Sequence, residues 1–186
     1  MEIIRYTANY ANLTKAFHCG NAVIDNFLQN SCALDDNQGI TYIMLSDEQD
    51  VIIGYYNIEV GRLDQIEIVG EREYYKPMGG TVNINYLAIH SDYQRIKIAE
   101  CEDRNLYLGD YLLRDCEKRI KKLREKVGIS FVTICSTQQG YYLYHDRNDY
   151  EDFDCDMSNF VDESNAMCYK AYKWVDDIIW QKQYWE

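Results

Sequence analysis

Thr81-Val82-Asn83-Ile84-Asn85-Tyr86-Leu87-Ala88-Ile89 is the stretch on which the fold turns. It holds no charge, it is rich in β-branched and apolar residues, and it sits between Gly79-Gly80 and the polar His90-Ser91-Asp92. Such a run reads as a strand near the middle of a sheet. Downstream, Leu112, Cys116, Ile120, Leu123 and Val127 form an apolar stripe at helical spacing from Asp110. Asp110/Arg114, Asp115/Arg119 and Glu117/Lys121 add acid-before-base pairs four residues apart. Gly128 ends this helix, and Ile129 to Cys135 reads as a second buried strand, so strand, helix and strand predict a right-handed parallel crossover. A short helix over Thr137 to His145 follows, then two strands, Asp149 to Phe153 and Ala166 to Trp174, around an acidic loop, and an aromatic tail expected to dock on the body.

Upstream, Arg62 to Gly80 reads as a long excursion carrying the single proline, Pro77. Ile40 to Leu45 and Val51 to Val60 are expected to form a hairpin about the polar turn Ser46 to Asp50. A helix starts at Asn21, where Val23, Ile24, Phe27 and Leu28 recur on one face, and Glu2 to Tyr6 is an opening strand. The class is α/β with one domain over residues 1–186, a length that a single core can serve.

Composition narrows the function. No apolar run approaches the ~20 residues of a membrane-spanning helix, and the first residues lack the basic-then-apolar order of a secretory leader. A cytoplasmic protein without membrane contact is expected. The seven cysteines form no C-x-x-C pair, which suits core residues or idle thiols better than a disulfide framework or zinc site. His18, His90 and His145 lie far apart, and the aspartates from Asp146 lack the spacing of a calcium loop, so no metal is expected. The formal net charge of −12 repels nucleic-acid phosphate and draws cations. Charge is uneven, however: Arg114 to Lys126 carries seven basic and three acidic residues, whereas Asp146 to Glu163 carries eight acidic residues and one arginine.

In order along the chain, three further pieces stand out: Tyr86-Leu87-Ala88-Ile89-His90-Ser91-Asp92-Tyr93-Gln94, Tyr107-Leu108-Gly109-Asp110-Tyr111-Leu112-Leu113 and Gly140-Tyr141-Tyr142-Leu143-Tyr144. With the element order, they make the chain resemble the GNAT superfamily of acetyl-CoA-dependent N-acetyltransferases over nearly its whole length. Phe17 to Leu28, reading Phe-His-Cys-Gly-Asn-Ala-Val-Ile-Asp-Asn-Phe-Leu, looks like the opening of the branch of toxin-type acetyltransferases that acylate aminoacyl-tRNA.

The resemblance implies a mixed, mostly antiparallel sheet, flanked by helices, whose central parallel strand pair splays apart. It also implies acetyl-CoA as cosubstrate, with pantetheine pairing like an added strand along Leu87, Ala88 and Ile89. Pyrophosphate needs N–H donors at a helix start. The family's Gln/Arg-x-x-Gly-x-Gly/Ala loop has two imperfect versions here: Gln94 to Ala99, with Lys97 in the middle glycine position, and Arg104 to Gly109, with Tyr107 there. The second leads into the helix and is preferred, giving Arg104, Leu108, Gly109 and Asp110 as cofactor-binding residues.

Tyr144 maps onto the family's acid tyrosine, with Tyr141 and Tyr142 as alternatives; a phenol of pKa ~10 can protonate a leaving thiolate of pKa ~8.5. Glu59, His90 or an ordered water is expected to take the amine's proton. The acceptor expected from net acidity is a cationic small molecule or a peptide amine. Aminoacyl-tRNA, which the net charge disfavours, is the alternative, and a module that binds acyl-CoA or a partner without catalysis is another. A homodimer is among the assemblies the sequence allows.

Overall fold

The computed structural model describes residues 1–100, 105–159 and 168–178. The described residues pack as two compact units, the first from Met1–Glu59 and Asn85–Cys116, the second from Val60–Ile84 and the described residues between 117 and 178. The long strands β3 (Ile52–Val69) and β4 (Arg72–Ile89) and the helix α3 (Leu108–Arg124) contribute to both.

In the first unit, β1 (Glu2–Arg5) pairs antiparallel with β2 (Ile40–Leu45), and β2 with the opening half of β3. Helix α1 (Ala11–Thr14) and helix α2 (Ala22–Gln29) lie between β1 and β2 in the chain. Asn21 starts α2 from an extended conformation, its side chain accepting from the N–H groups of Val23 and Ile24. That satisfies two of the donors a helix start leaves orphaned. The core gathers Phe17, Leu28, Ile43, Leu45, Ile52, Tyr55 and Ala88, with Phe27 and Tyr86 packed against it.

In the second unit, β4 pairs parallel with β7 (Phe131–Ser136) over Thr81–Ile84 against Phe131–Ile134. This is the crossover expected from the sequence. After β7 come α4 (Gln138–Tyr141) and a single wide π-type turn, Tyr142–Asp146. β8 (Glu151–Asp152) pairs with β10 (Tyr169–Trp174), β9 (Met157–Ser158) with β3, and β10 runs antiparallel to β7. The result is a mixed, mostly antiparallel sheet with one parallel pair and flanking helices, as the resemblance implies.

Three expectations are corrected. The excursion over Arg62 to Gly80 is not a loop, because β3 runs on to Val69 and β4 starts at Arg72. Gly79 and Gly80 act there as strand residues at a close approach: a Cβ on Gly80 would stand 2.5 Å from the carbonyl oxygen of Gly128. Glu117 does not join Lys121 on the helix surface; it is buried and pairs with Lys173, while Lys121 donates to the carbonyl of Ile178. The cysteines are not all single thiols, since Cys135 and Cys168 are brought into disulfide contact with Cα atoms 5.5 Å apart, within the span such a bond needs. The aromatic tail beyond residue 178 and the start of the last predicted strand lie outside the described residues.

Candidate functional site

The predicted acyl-CoA strand is the last part of β4. Its parallel ladder with β7 covers Thr81–Ile84, and among the described residues Asn85 to Ile89 has no pairing with β7. β7 does not cover that edge there, which leaves room for an added strand, although the Ile89 carbonyl already accepts from Gln94. On the other side β4 is held by β3, where Gly54 lets the backbones close in: a Cβ there would meet the carbonyl oxygen of Ala88 at 2.8 Å and Ile89 Cδ1 at 2.7 Å.

The segment Phe17 to Leu28 braces the end of this strand. Ser91 N donates to the carbonyl of His18 at 2.7 Å, and Gln94 Nε2 donates to the carbonyls of Cys19 at 2.8 Å and Ile89 at 3.0 Å. Phe27 stacks on Tyr86 with ring centroids 4.2 Å apart. Within that segment Asp25, buried, accepts from Cys19 N at 2.7 Å and lies 2.7 Å from His18 Nδ1. Burial and the bond to Asp25 push the Cys19 thiol up to about 12, so it stays protonated at neutral pH and offers no nucleophile beside His18.

The two candidate phosphate loops run into the two strands of one inserted ribbon. β5 (Lys97–Glu100) and β6 (Asn105–Tyr107) pair antiparallel, and Leu108 N donates to the carbonyl of Ile96 at 3.3 Å, closing the base of this inserted ribbon. Ile96 and Leu108 thus come together, and Arg95 beside them takes a left-handed backbone (φ 63°), a conformation that favours glycine. Asp110 Oδ2 accepts from Tyr107 N at 2.9 Å, so its carboxylate caps α3 and what it can offer a phosphate is backbone N–H. The Leu108 N–H already has a partner; Gly109 supplies the bare backbone at the helix start. Arg104 lies outside the described residues.

Of the proton-transfer candidates in the first unit, Glu59 is exposed and held in place: Asn85 Nδ2 donates to Glu59 Oε2 at 2.9 Å and to Asn57 Oδ1 at 3.0 Å. Asn57, fully buried, donates in turn to Thr41 Oγ1 at 3.1 Å. Sequence reasoning missed this relay; the polar Thr41, Asn57 and Asn85 at inward positions of otherwise apolar strands were its only signal. His90 has partners at both ring nitrogens, with Nδ1 accepting from Asp92 N at 3.2 Å and Nε2 lying 3.2 Å from the carbonyl of Ala16. It caps the turn after β4.

In the second unit, Tyr144 stands in the π-type turn and is 4% exposed. The two alternatives have partners as well. Tyr141 donates to both carboxylate oxygens of Asp152, at 3.0 and 2.8 Å, a bond that holds its pKa above the usual phenol value. Tyr142 is 60% exposed under the Arg147 guanidinium. Single π-type turns of this kind recur at functional sites.

Comparison with known proteins agrees with this architecture. No family model matches the chain. A probable toxin TacT from Sinorhizobium fredii (strain NBRC 101917 / NGR234) is 28% identical over 122 residues, 64% of this chain and 63% of that protein. The match thus spans less than two thirds of that relative's length. Among solved structures, a bacterial toxin superposes with TM-score 0.71 at 16% identity, covering 95% of this chain and 93% of that one. A tyrosine-to-phenylalanine mutant of the toxin AtaT, bound to the C-terminus of the antitoxin AtaR and acetyl-CoA, gives TM-score 0.60 at 14% identity, with 95% and 94% covered. The fold is the one these toxins share.

Proposed function

We propose that this protein transfers an acetyl group from acetyl-CoA to an amine, and that the amine is the α-amino group of an aminoacyl-tRNA. The observation that carries the transfer is the edge of Leu87 to Ile89, open beyond the parallel ladder and braced by Phe17 to Leu28. The acceptor follows from the toxin-like opening segment and from the toxin relatives, and it displaces the cationic small molecule that net charge alone favours. An antitoxin is the protein partner this reading expects, as AtaT has AtaR.

The cosubstrate supplies an activated acyl group as a thioester. The backbone of Leu87, Ala88 and Ile89 pairs with the pantetheine arm, and an N–H there faces the thioester oxygen where negative charge develops. Gly109, at the start of α3, presents N–H groups and the positive helix end to pyrophosphate. Glu59, oriented by Asn85, takes the proton that the amine loses, directly or through water. Tyr144 donates its phenolic proton to the sulfur as the carbon–sulfur bond breaks. Lys122 and Lys126 are exposed on α3 and its end, whereas Arg124 is paired with Asp176, so only part of the basic helix is left to meet phosphate.

The test is acetyl transfer from labelled acetyl-CoA to charged tRNA, uncharged tRNA, a polyamine and a peptide, with Tyr144→Phe alongside. Label should pass to charged tRNA alone, and Tyr144→Phe should lower kcat by about 10²-fold with KM for acetyl-CoA little changed. Transfer to the polyamine or peptide with tRNA inert overturns the acceptor. Calorimetry showing no acetyl-CoA binding overturns the reaction and leaves the partner-binding alternative.

A further inference from the structure

A second group of residues in the same unit as Tyr144 has no part in the reaction above. Lys173 on β10 and Glu117 on α3 are buried, with side chains 5% and 1% exposed, and Nζ lies 3.2 Å from Glu117 Oε1. Taking two charges out of water is costly, and a buried ion pair seldom adds net stability over an apolar pair of the same shape. Its use must be sought in what it orders.

Lys173 Nζ also donates to the carbonyl of Asn148 at 2.9 Å. Asn148, itself buried, turns its side chain back and donates from Nδ2 to the carbonyl of Leu143 at 2.7 Å, inside the π-type turn. Tyr150 N donates to the carbonyl of Tyr144 at 3.1 Å. Two of these bonds tie carbonyls of the wide turn to the chain that follows, the Tyr144 carbonyl accepting from Arg147 N as well as from Tyr150 N. The rings repeat the connection: Lys173 Nζ stands 5.4 Å from the centroid of Tyr150, which packs edge-on against Tyr144 at 5.5 Å. Asp149, between the two anchors, takes a left-handed backbone at φ 56°, a conformation that aspartate tolerates better than most residues with a side chain.

We infer that Lys173, fixed by Glu117, is a positioning residue for Tyr144: through the Asn148 carbonyl and the Tyr150 ring it sets the direction of the phenol. This rests on the reading of Tyr144 as the proton donor. The lysine touches no substrate. Its effect is on the fraction of time the phenol points where the leaving sulfur needs it, and misplacement of about 1 Å can lower a rate on the order of 10²-fold.

The experiment compares Lys173→Met/Glu117→Leu, which removes both buried charges and strands neither, with the parent, with Tyr144→Phe and with the triple variant. Lys173→Arg serves as the conservative control. The double variant should keep a thermal midpoint close to the parent's and an unchanged KM for acetyl-CoA, while kcat falls by about 10²-fold. Adding Tyr144→Phe to it should cost little more, because both act through one phenol. Lys173→Arg should recover part of kcat. Hydrogen exchange gives a readout without turnover: the Tyr150 amide should exchange faster in the double variant while β7 amides do not change. Losses that multiply with Tyr144→Phe, or an unchanged Tyr150 amide, overturn the inference. A Tyr144→Phe variant as active as the parent sinks the proton-donor role instead, and the exchange result then stands by itself on whether Lys173 orders the turn.

Discussion

Asp25 shows how much one residue of the opening segment does. Its side chain is 7% exposed and accepts from Cys19 N, with His18 Nδ1 at 2.7 Å. Burial opposes its charged form, yet the bonds from Cys19 and His18 outweigh burial and hold the carboxyl below its ordinary value of 3.8. A carboxyl with a lowered native pKa stabilises the fold fully above its unfolded value, and that contribution fades as pH falls through the native value. Asp25→Asn should therefore cost about 1–3 kcal/mol at neutral pH. In urea titrations at successively lower pH, the gap from the parent should stay constant down to about 3.8 and close below it; a gap that widens on acidification refutes the assignment. Asp25 was legible only as one letter of a family-like segment. That it caps the backbone before its own helix could not be read, because bonds between positions 19 and 25 depend on the turn at Gly20, whose φ of 93° no periodicity reports. His90 was the converse case: a histidine at a strand end looks reactive in sequence, and only the carbonyl of Ala16, distant in the chain, shows its ring to be engaged.

At the scale of elements, regular spacing was legible and interruption was not. The stripe from Leu112 to Val127 gave α3, and the uncharged run Thr81 to Ile89 gave the closing half of β4. The arms beyond them were hidden because Arg62, Glu67, Glu73 and Lys76 break any apolar alternation, and exposed Ile68, Val69 and Tyr74 show these arms to be less buried than ordinary strands. The two candidate phosphate loops look like rivals in the sequence for the same reason: a short ribbon inserted between Ile96 and Leu108 separates, by sequence distance, residues whose backbones are bonded. Gly54 is the position where strand packing meets the edge proposed for the cosubstrate. It needs no unusual backbone; what excludes a side chain is the Ala88 carbonyl oxygen 2.8 Å from where Cβ would stand. Gly54→Ala must push β4 away or strain β3, and overpacking of this kind costs about 1–3 kcal/mol. The expected result is a lower denaturation midpoint together with weaker acetyl-CoA binding by calorimetry. Weakened stability with unchanged binding would mean that the Leu87–Ile89 edge is not where the cosubstrate lies.

For the whole molecule, the two compact units raise the question of whether they unfold separately. Their internal resources differ: the first has an aromatic and aliphatic core from Tyr6 to Ala88, the second a cluster about Leu63, Phe131 and Tyr172. The backbone is shared between them, since β3, β4 and α3 each carry residues of both units without a break in secondary structure. To melt one unit alone, three elements would have to end midway, leaving new strand and helix ends with unpaired backbone groups. We therefore expect one cooperative transition, with calorimetric and van't Hoff enthalpies in a ratio of about 1. Asp25→Asn in the first unit and Lys173→Met in the second should each lower that same midpoint, by roughly 2–4 °C for every kcal/mol lost at this chain length. Two resolved transitions, with each substitution moving only one of them, would show that the shared strands do not couple the units and that residues 1–186 are not one folding domain.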